Sequence, residues 1–272
     1  MQGLAELLPV SSSAHVIVAE KLMGLDPSAP PTTLLLVMLH TGTMFAVIAY
    51  FWKRWRQIYF TSVEAFKRIA ILIVVATVAT GVVGGILMKL IERYYFHNAP
   101  HTDVEQLFGH LELIAPALAA VGILILGAGL YERRRVPTAK IGISPGRAVL
   151  VGVVQGLALP FRGFSRSGAT ISVAMLAGIS KEQAESFSFA LAVVLTPAVI
   201  AREGLRLVQA NAVTSSTDPA AVLLPSLLGA LAAFLAGLLA LKWLSRWLES
   251  GRWYLFGIYC LIAAAFIAGL AR

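Results

Sequence analysis

The chain reads as an all-α integral membrane protein with six transmembrane helices and two re-entrant helical hairpins in an inverted-topology repeat. Three observations predict this. Of the 272 residues, 58% are hydrophobic and only 13% charged, where a soluble domain carries about a quarter charged, and the mean hydropathy is +0.80. Six apolar stretches are long enough to cross a bilayer. Two further segments, each interrupted by Pro, Gly, Ser and charge, resemble one another. The composition excludes a soluble globular enzyme. The net charge of +8 falls to basic loops beside membrane spans rather than to nucleic acid, so the partner is the bilayer and no nucleic-acid partner is expected. The single cysteine, Cys260, leaves neither a disulfide framework nor a Cys metal cluster.

A helix rises 1.5 Å per residue, so about 20 apolar residues cross a hydrocarbon core of about 30 Å. The six stretches run from Thr33 to Phe51, Ile69 to Leu90, Leu111 to Leu130, Ser186 to Ala201, Ala221 to Leu241 and Trp253 to Leu270. Trp52, Trp55, Trp243, Trp247 and Trp253 stand at span ends, where an interfacial aromatic belt is expected. The segments 1–24 and 146–178 are too interrupted to be plain spans. They read as discontinuous helices, which survive at membrane depth only where protein or a wet cavity satisfies their backbone. The N-terminal stretch does not read as a signal peptide, because it lacks a basic leader and Glu6 and Pro9 interrupt its apolar run. With the spans alternating, fourteen Lys and Arg fall on one face and six on the other. The positive-inside rule makes the first face cytoplasmic and places both termini outside. Arg162 and Arg166 belong to neither set, since both lie inside the second broken segment.

That segment repeats the first. Gln2-Gly3-Leu4-Ala5 recurs as Gln155-Gly156-Leu157-Ala158, and Ser11-Ser12-Ser13-Ala14 faces Ser165-Arg166-Ser167-Gly168, at offsets of 153 and 154. Each copy precedes three spans, an odd number, so the second enters the membrane from the opposite face. The expected halves are 1–135 and 146–272 of a single membrane domain. Such repeats place their working site where the broken helices meet.

The residues at that meeting point carry the chemistry. Gln2 and Glu6, four apart on a helix, share a face and can address one ligand. Glu6 is either a cap at the water interface or, if it faces a cavity, the partner of a cation. Two oxygen donors suit a hard divalent ion, Mg2+ or Ca2+, that takes its remaining ligands from water and substrate phosphate. Ser11 and Ser12 follow Pro9 at a helix start, a position that serves both for capping and for cradling an anion. His15 is a candidate acid or base one turn later, with packing as the plainer alternative. In the second segment Arg166 stands between Ser165 and Ser167, next to Gly168 and Thr170. A guanidinium between hydroxyls at a helix start suits a phosphate or diphosphate. Arg162 is either a second phosphate contact or a snorkelling cation. His40, in the first span, lines the cavity or packs the helices. His97, His101 and His110, with Asp103 and Glu105, read as a solvated loop. Together the motifs describe phosphoryl transfer on an amphiphile whose headgroup enters a polar cavity while its tail lies among the spans.

The two motifs resemble those of the bacterial undecaprenyl-diphosphate phosphatase family, linked to bacitracin resistance. The first family motif, (Glu/Gln)-x-x-x-Glu with a Pro-x-Ser-Ser-x-x-His block, is matched by Gln2, Glu6, Pro9, Ser11, Ser12 and His15. The second, Pro-Gly-x-Ser-Arg-Ser-Gly-x-Thr, is matched by Gly163, Ser165, Arg166, Ser167, Gly168 and Thr170. The resemblance implies hydrolysis of undecaprenyl (C55 polyprenyl) diphosphate to the monophosphate at the outer face of the inner membrane, recycling the carrier for peptidoglycan synthesis. It implies that Gln2 and Glu6 hold the divalent cation and that Arg166 clamps the phosphates, with Ser11, Ser165, Ser167, Thr170 and Arg162 around them. Ser12 and His15 become candidates for nucleophile and acid–base partner, and water remains an alternative nucleophile. A homodimer is compatible with the resemblance.

Three departures matter. Position 2 is Gln rather than the more common Glu, removing one carboxylate from the cation site. Phe161-Arg162 separates Pro160 from Gly163 where the family motif has Pro-Gly. The chain also begins at the motif itself, so either its start is placed late or the first half-helix is short, and a short one would leave Gln2 frayed. Two other classes share some of these features. A polyprenyl-phosphate transporter or flippase would use the same anion site without hydrolysis. An acid-phosphatase-like lipid phosphatase would need a His shortly after its Ser-Arg, and this chain has Ser172 there and lacks a Lys…Arg-Pro element.

Overall fold

The computed structural model describes residues 1–23, 30–95, 111–134, 142–211 and 219–270. Within them the chain is helical, with no strand among the described residues. Two short helices, α1 (Gln2–Ala5) and α2 (Ser12–Met23), precede α3 (Pro30–Ile58), α4 (Val63–Tyr95) and α5 (Leu111–Arg134). A second interrupted pair, α6 (Pro145–Ala158) and α7 (Arg166–Leu176), precedes α8 (Lys181–Asn211), α9 (Pro219–Glu249) and α10 (Tyr254–Leu270).

Five helices are long and apolar enough to cross a membrane: Leu34–Ile58, Val63–Tyr94, Glu112–Arg134, Lys181–Ala201 and Leu224–Glu249. The protein is therefore a multi-pass membrane protein. The sixth apolar stretch forms α10, whose 17 residues, about 25 Å of helix, make it shorter than these five. Before it, Gly251 turns the chain at φ 71°, and Trp253 is buried with its indole N–H donating to Ser172 Oγ at 2.9 Å. The aromatic belt needs correction. Trp52 and Trp243 are exposed, but Trp55 is buried like Trp253 and donates to Ser186 Oγ at 2.9 Å. Indole N–H groups that meet a partner inside the protein can leave the interface. One face of α4, formed by Ile71, Val74, Val78, Val82 and Ile86, is more than half exposed along its whole length, the apolar stripe that a bilayer covers.

Small residues bring the helices together. A Cβ on Gly3 would lie 2.7 Å from the Ala233 carbonyl of α9, and one on Gly156 would lie 2.8 Å from the Thr80 carbonyl of α4. Gly152 meets the Ala76 carbonyl, and Gly42 of α3 the Ala230 carbonyl, more closely still. A side chain at Gly152 has backbone against it and nowhere to go. Gly152→Leu is expected to destabilise the protein by about 1–3 kcal/mol or more, read as a lower thermal aggregation midpoint in detergent. Gly81→Leu, with open space around it, should leave that midpoint unchanged.

The first break is buried and the second partly so, with Pro160, Gly163 and Ser165 enclosed, and their enclosed backbone needs partners. Ser11 adopts φ 65° and Gly163 φ 102°; the second position demands glycine, since a Cβ there would meet the Ile114 carbonyl at 2.6 Å. Val10 N–H donates to the Leu8 carbonyl at 2.8 Å and Phe164 N–H to the Phe161 carbonyl at 3.0 Å. The Cys260 thiol, fully buried, donates to the Pro9 carbonyl at 3.3 Å. Away from these breaks, a polar tie joins α3, α8 and α9: buried Glu185 accepts from Ser245 Oγ at 2.5 Å and pairs with Arg54 at 3.6 Å.

Candidate active site at the junction of two broken helices

The two breaks meet. Gly163 N–H donates to Ser13 Oγ at 3.3 Å, Ser167 Oγ donates to the Leu8 carbonyl at 3.5 Å, and a Cβ on Gly168 would touch Pro9 Cβ at 3.2 Å. The same cap closes both helices that leave the junction. Ser11 Oγ accepts from Ala14 N–H at 3.4 Å and lies 3.3 Å from Ser13 Oγ; Ser165 Oγ accepts from Gly168 N–H at 3.3 Å and lies 3.5 Å from Ser167 Oγ. α2 and α7 thus present their N-terminal ends, with free backbone N–H groups and positive dipole ends, to one place.

Glu6 is the hub. Its Oε2 accepts from Ser12 Oγ at 2.5 Å and from Gln2 Nε2 at 3.1 Å, while Oε1 faces an Arg166 guanidinium nitrogen at 3.5 Å. Residues 160 positions apart are so joined by an ion pair. The pair remains reachable, with Arg166 25% and Glu6 17% exposed, which leaves room for a polar ligand to part it. Gln2 is only 7% exposed and held by Glu6 and His40. It is anchored rather than frayed, even though α1 has four residues.

Ser12 and His15 are hydrogen-bonded to different partners, Ser12 to Glu6 and His15 elsewhere. The His15 Nδ1–H donates to the Ser11 carbonyl at 2.8 Å, and its Nε2 lies 2.7 Å from the Tyr259 hydroxyl. A carbonyl only accepts, so the neutral ring carries its proton on Nδ1 and Tyr259 donates to Nε2. The two rings lie within 11° of parallel. His15 therefore braces the left-handed Ser11 turn, and Tyr259 braces His15. Tyr259→Phe removes one hydrogen bond and should lower kcat/KM about fivefold, with any fall in the thermal midpoint limited to the loss of about 1 kcal/mol of stability.

Thr170 is fully buried; its hydroxyl donates to the Arg166 carbonyl at 2.8 Å and lies 2.6 Å from Ser188 Oγ, tying α7 to α8. Ser165 is the α7 cap. Arg162 is exposed on the turn before Gly163. His97, His101, His110, Asp103 and Glu105 lie outside the described residues. Among the described residues no group of three or more His, Cys, Asp or Glu could hold a metal. The donors that are present, the Glu6 carboxylate, the Gln2 amide and the Ser12 hydroxyl, fit a hard cation that keeps several waters and shares a substrate phosphate, rather than a closed thiolate or imidazole site.

The protein is thus a multi-pass helical membrane protein in which an acid, an arginine and two helix N-termini converge on one junction. Residues 1–266 match the family described as Bacitracin resistance protein BacA, and the chain belongs to that family. It is 56% identical to "Undecaprenyl-diphosphatase 2" of Acinetobacter baylyi over 274 residues, covering 100% of this chain and 95% of that protein. It is 33% identical to "Undecaprenyl-diphosphatase 2" of Burkholderia ambifaria, covering 99% and 93% of the two chains. It is 32% identical to "Undecaprenyl-diphosphatase" of Desulfatibacillum aliphaticivorans, covering 97% and 93%.

Two residues at the junction escape a reading of the motifs alone. Tyr259 carries a weak signal, as a tyrosine set inside an apolar span instead of at its end. Ser13 carries a better one: it is the counterpart of Ser167 in the repeat and fastens Gly163 of the other copy.

Proposed function

We propose that this protein hydrolyses undecaprenyl diphosphate to the monophosphate and inorganic phosphate, with a divalent cation, Mg2+ or Ca2+, at the outer face of the bacterial inner membrane. The released carrier then returns to peptidoglycan synthesis. The observation that carries the reading is the Glu6–Arg166 pair at the helix junction, in a chain 56% identical over its full length to an undecaprenyl-diphosphatase.

In this reading Arg166 leaves Glu6 for the incoming diphosphate, binding its oxygens bidentately. The α2 and α7 N-termini, with Ser11, Ser167 and Arg162, receive the remaining phosphate charge. Ser165 and Thr170 hold the first turn of α7 in place. Glu6 and Gln2 would hold the cation, which would supply neutralisation of charge on the phosphoryl oxygens. The 2.5 Å bond from Ser12 to Glu6 supports Glu6 as the group that takes a proton from Ser12, or from a water that Ser12 orients. His15, held by Tyr259 and Ser11, keeps the serine turn in register and stands next in line for acid–base work.

The paired serine caps and the matched contacts of Gly3 with α9 and Gly156 with α4 support the inverted repeat, with α10 as the sixth span. The excess of basic residues on the other face supports an outward-facing site. Purified protein should release phosphate from a long-chain polyprenyl diphosphate and lose that activity to a chelator. Hydrolysis that survives chelation would remove the cation's role; lipid movement across vesicles without phosphate release would make the protein a flippase.

A further inference from the structure

His40 is the one histidine within the apolar stretch of α3, and its ring is fully committed. Nδ1 lies 2.8 Å from the Leu36 carbonyl one turn earlier. A carbonyl only accepts, so the ring proton sits on Nδ1 and the neutral ring turns a lone pair outward from Nε2. That Nε2 faces Gln2 Nε2 at 3.4 Å. The same amide nitrogen lies 3.1 Å from Glu6 Oε2. Its two hydrogens thus go one to each neighbour, and the carbonyl end of the Gln2 amide is left uncommitted.

We propose that His40 is a positioning residue: by accepting from the Gln2 amide nitrogen, it fixes which end of that amide is presented, and so offers the Gln2 carbonyl oxygen to the divalent cation. The proposal rests on the cation reading above. It follows from the direction of the bonds. An acceptor nitrogen at His40 calls for a donor at position 2, and an ionised glutamate has none. With Glu at position 2, one neutral tautomer of His40 sets acceptor against acceptor there, and the other does so at Leu36. A doubly protonated ring would satisfy both contacts but set a positive charge beside the cation. Gln2 and His40 are thus a matched pair, and a matched alternative reverses the roles: Glu at position 2 as acceptor and Gln at position 40 as donor.

This reasoning and simple charge counting disagree, which makes the test sharp. Charge counting says that Gln2→Glu alone tightens cation binding, because it adds a carboxylate. Pairing says that it does so only together with His40→Gln. The experiment is a Mn2+ titration of purified protein followed by electron paramagnetic resonance, alongside kcat/KM for the same proteins. Size-exclusion profiles check that each variant is folded. His40→Leu should weaken Mn2+ binding about tenfold or more, the usual effect of losing an outer partner of a metal ligand. Gln2→Glu alone should gain nothing, and Gln2→Glu/His40→Gln should bind at least about tenfold tighter than Gln2→Glu. If Gln2→Glu alone binds as tightly as the double variant while the wild type binds normally, His40 does not set position 2. If the wild type binds no Mn2+, the cation reading fails and the proposal falls with it.

Discussion

Arg166→Ala is expected to lower kcat/KM for polyprenyl diphosphate by about 10²-fold or more, the scale on which one charge-stabilising group acts in a transition state. Two losses combine. The phosphate loses its guanidinium, and Glu6, which the guanidinium faces at 3.5 Å, is left charged in a largely enclosed site. Arg166→Lys separates them. It keeps a positive charge but not the planar fork, so it should recover part of the activity and remain about tenfold below the wild type. Phosphate release from purified variants, with circular dichroism to confirm folding, is the measurement. Near-normal turnover in Arg166→Ala would mean that the phosphates bind elsewhere.

Glu6→Ala is expected to cost as much, about 10²-fold or more. One carboxylate here gathers Ser12, Gln2 and Arg166, so its loss frees the serine proton, the amide and the guanidinium together. Glu6→Gln isolates the charge. It preserves the shape and one acceptor oxygen, yet it removes the proposed base and cation ligand. It should therefore be nearly as inactive as Glu6→Ala while keeping its thermal midpoint. A Glu6→Gln variant with activity within a few-fold of wild type would reassign both proton transfer and cation binding. Because Glu6 and Arg166 are in contact, the double variant should cost less than the two single losses combined.

Much of this was readable beforehand. The long apolar stretches mark the membrane helices because a span needs a fixed length of greasy sequence whatever its neighbours do. The two broken segments stand out for the opposite reason, since Glu6, Arg162 and Arg166 are charges that hydrocarbon disfavours and Pro9 interrupts an apolar run. Their likeness alone suggests that Glu6 and Arg166 lie together, and an ion pair joins them. Who touches whom within that place is a different kind of information. The Ser12 and His15 motif positions suggest a pair, yet rotamer and helix direction send Ser12 to Glu6 and His15 to Tyr259, a residue 244 positions away. Thr170 belongs to the motif and turns its hydroxyl toward Ser188 in the interior. Trp55 and Trp253 have the composition of a belt, but each found a buried serine. Such contacts depend on packing between elements distant in sequence, and no local pattern records them.

The central claim is that the junction of the two broken helices is a phosphatase site for a lipid diphosphate. It is tested most directly by incubating purified protein with undecaprenyl diphosphate and identifying the lipid product by mass spectrometry, for the wild type and for Arg166→Ala. The wild type should yield the monophosphate and one inorganic phosphate per lipid, and the variant about 10²-fold less in the same time. Monophosphate formed equally fast by both proteins, or no monophosphate from the wild type, would contradict it.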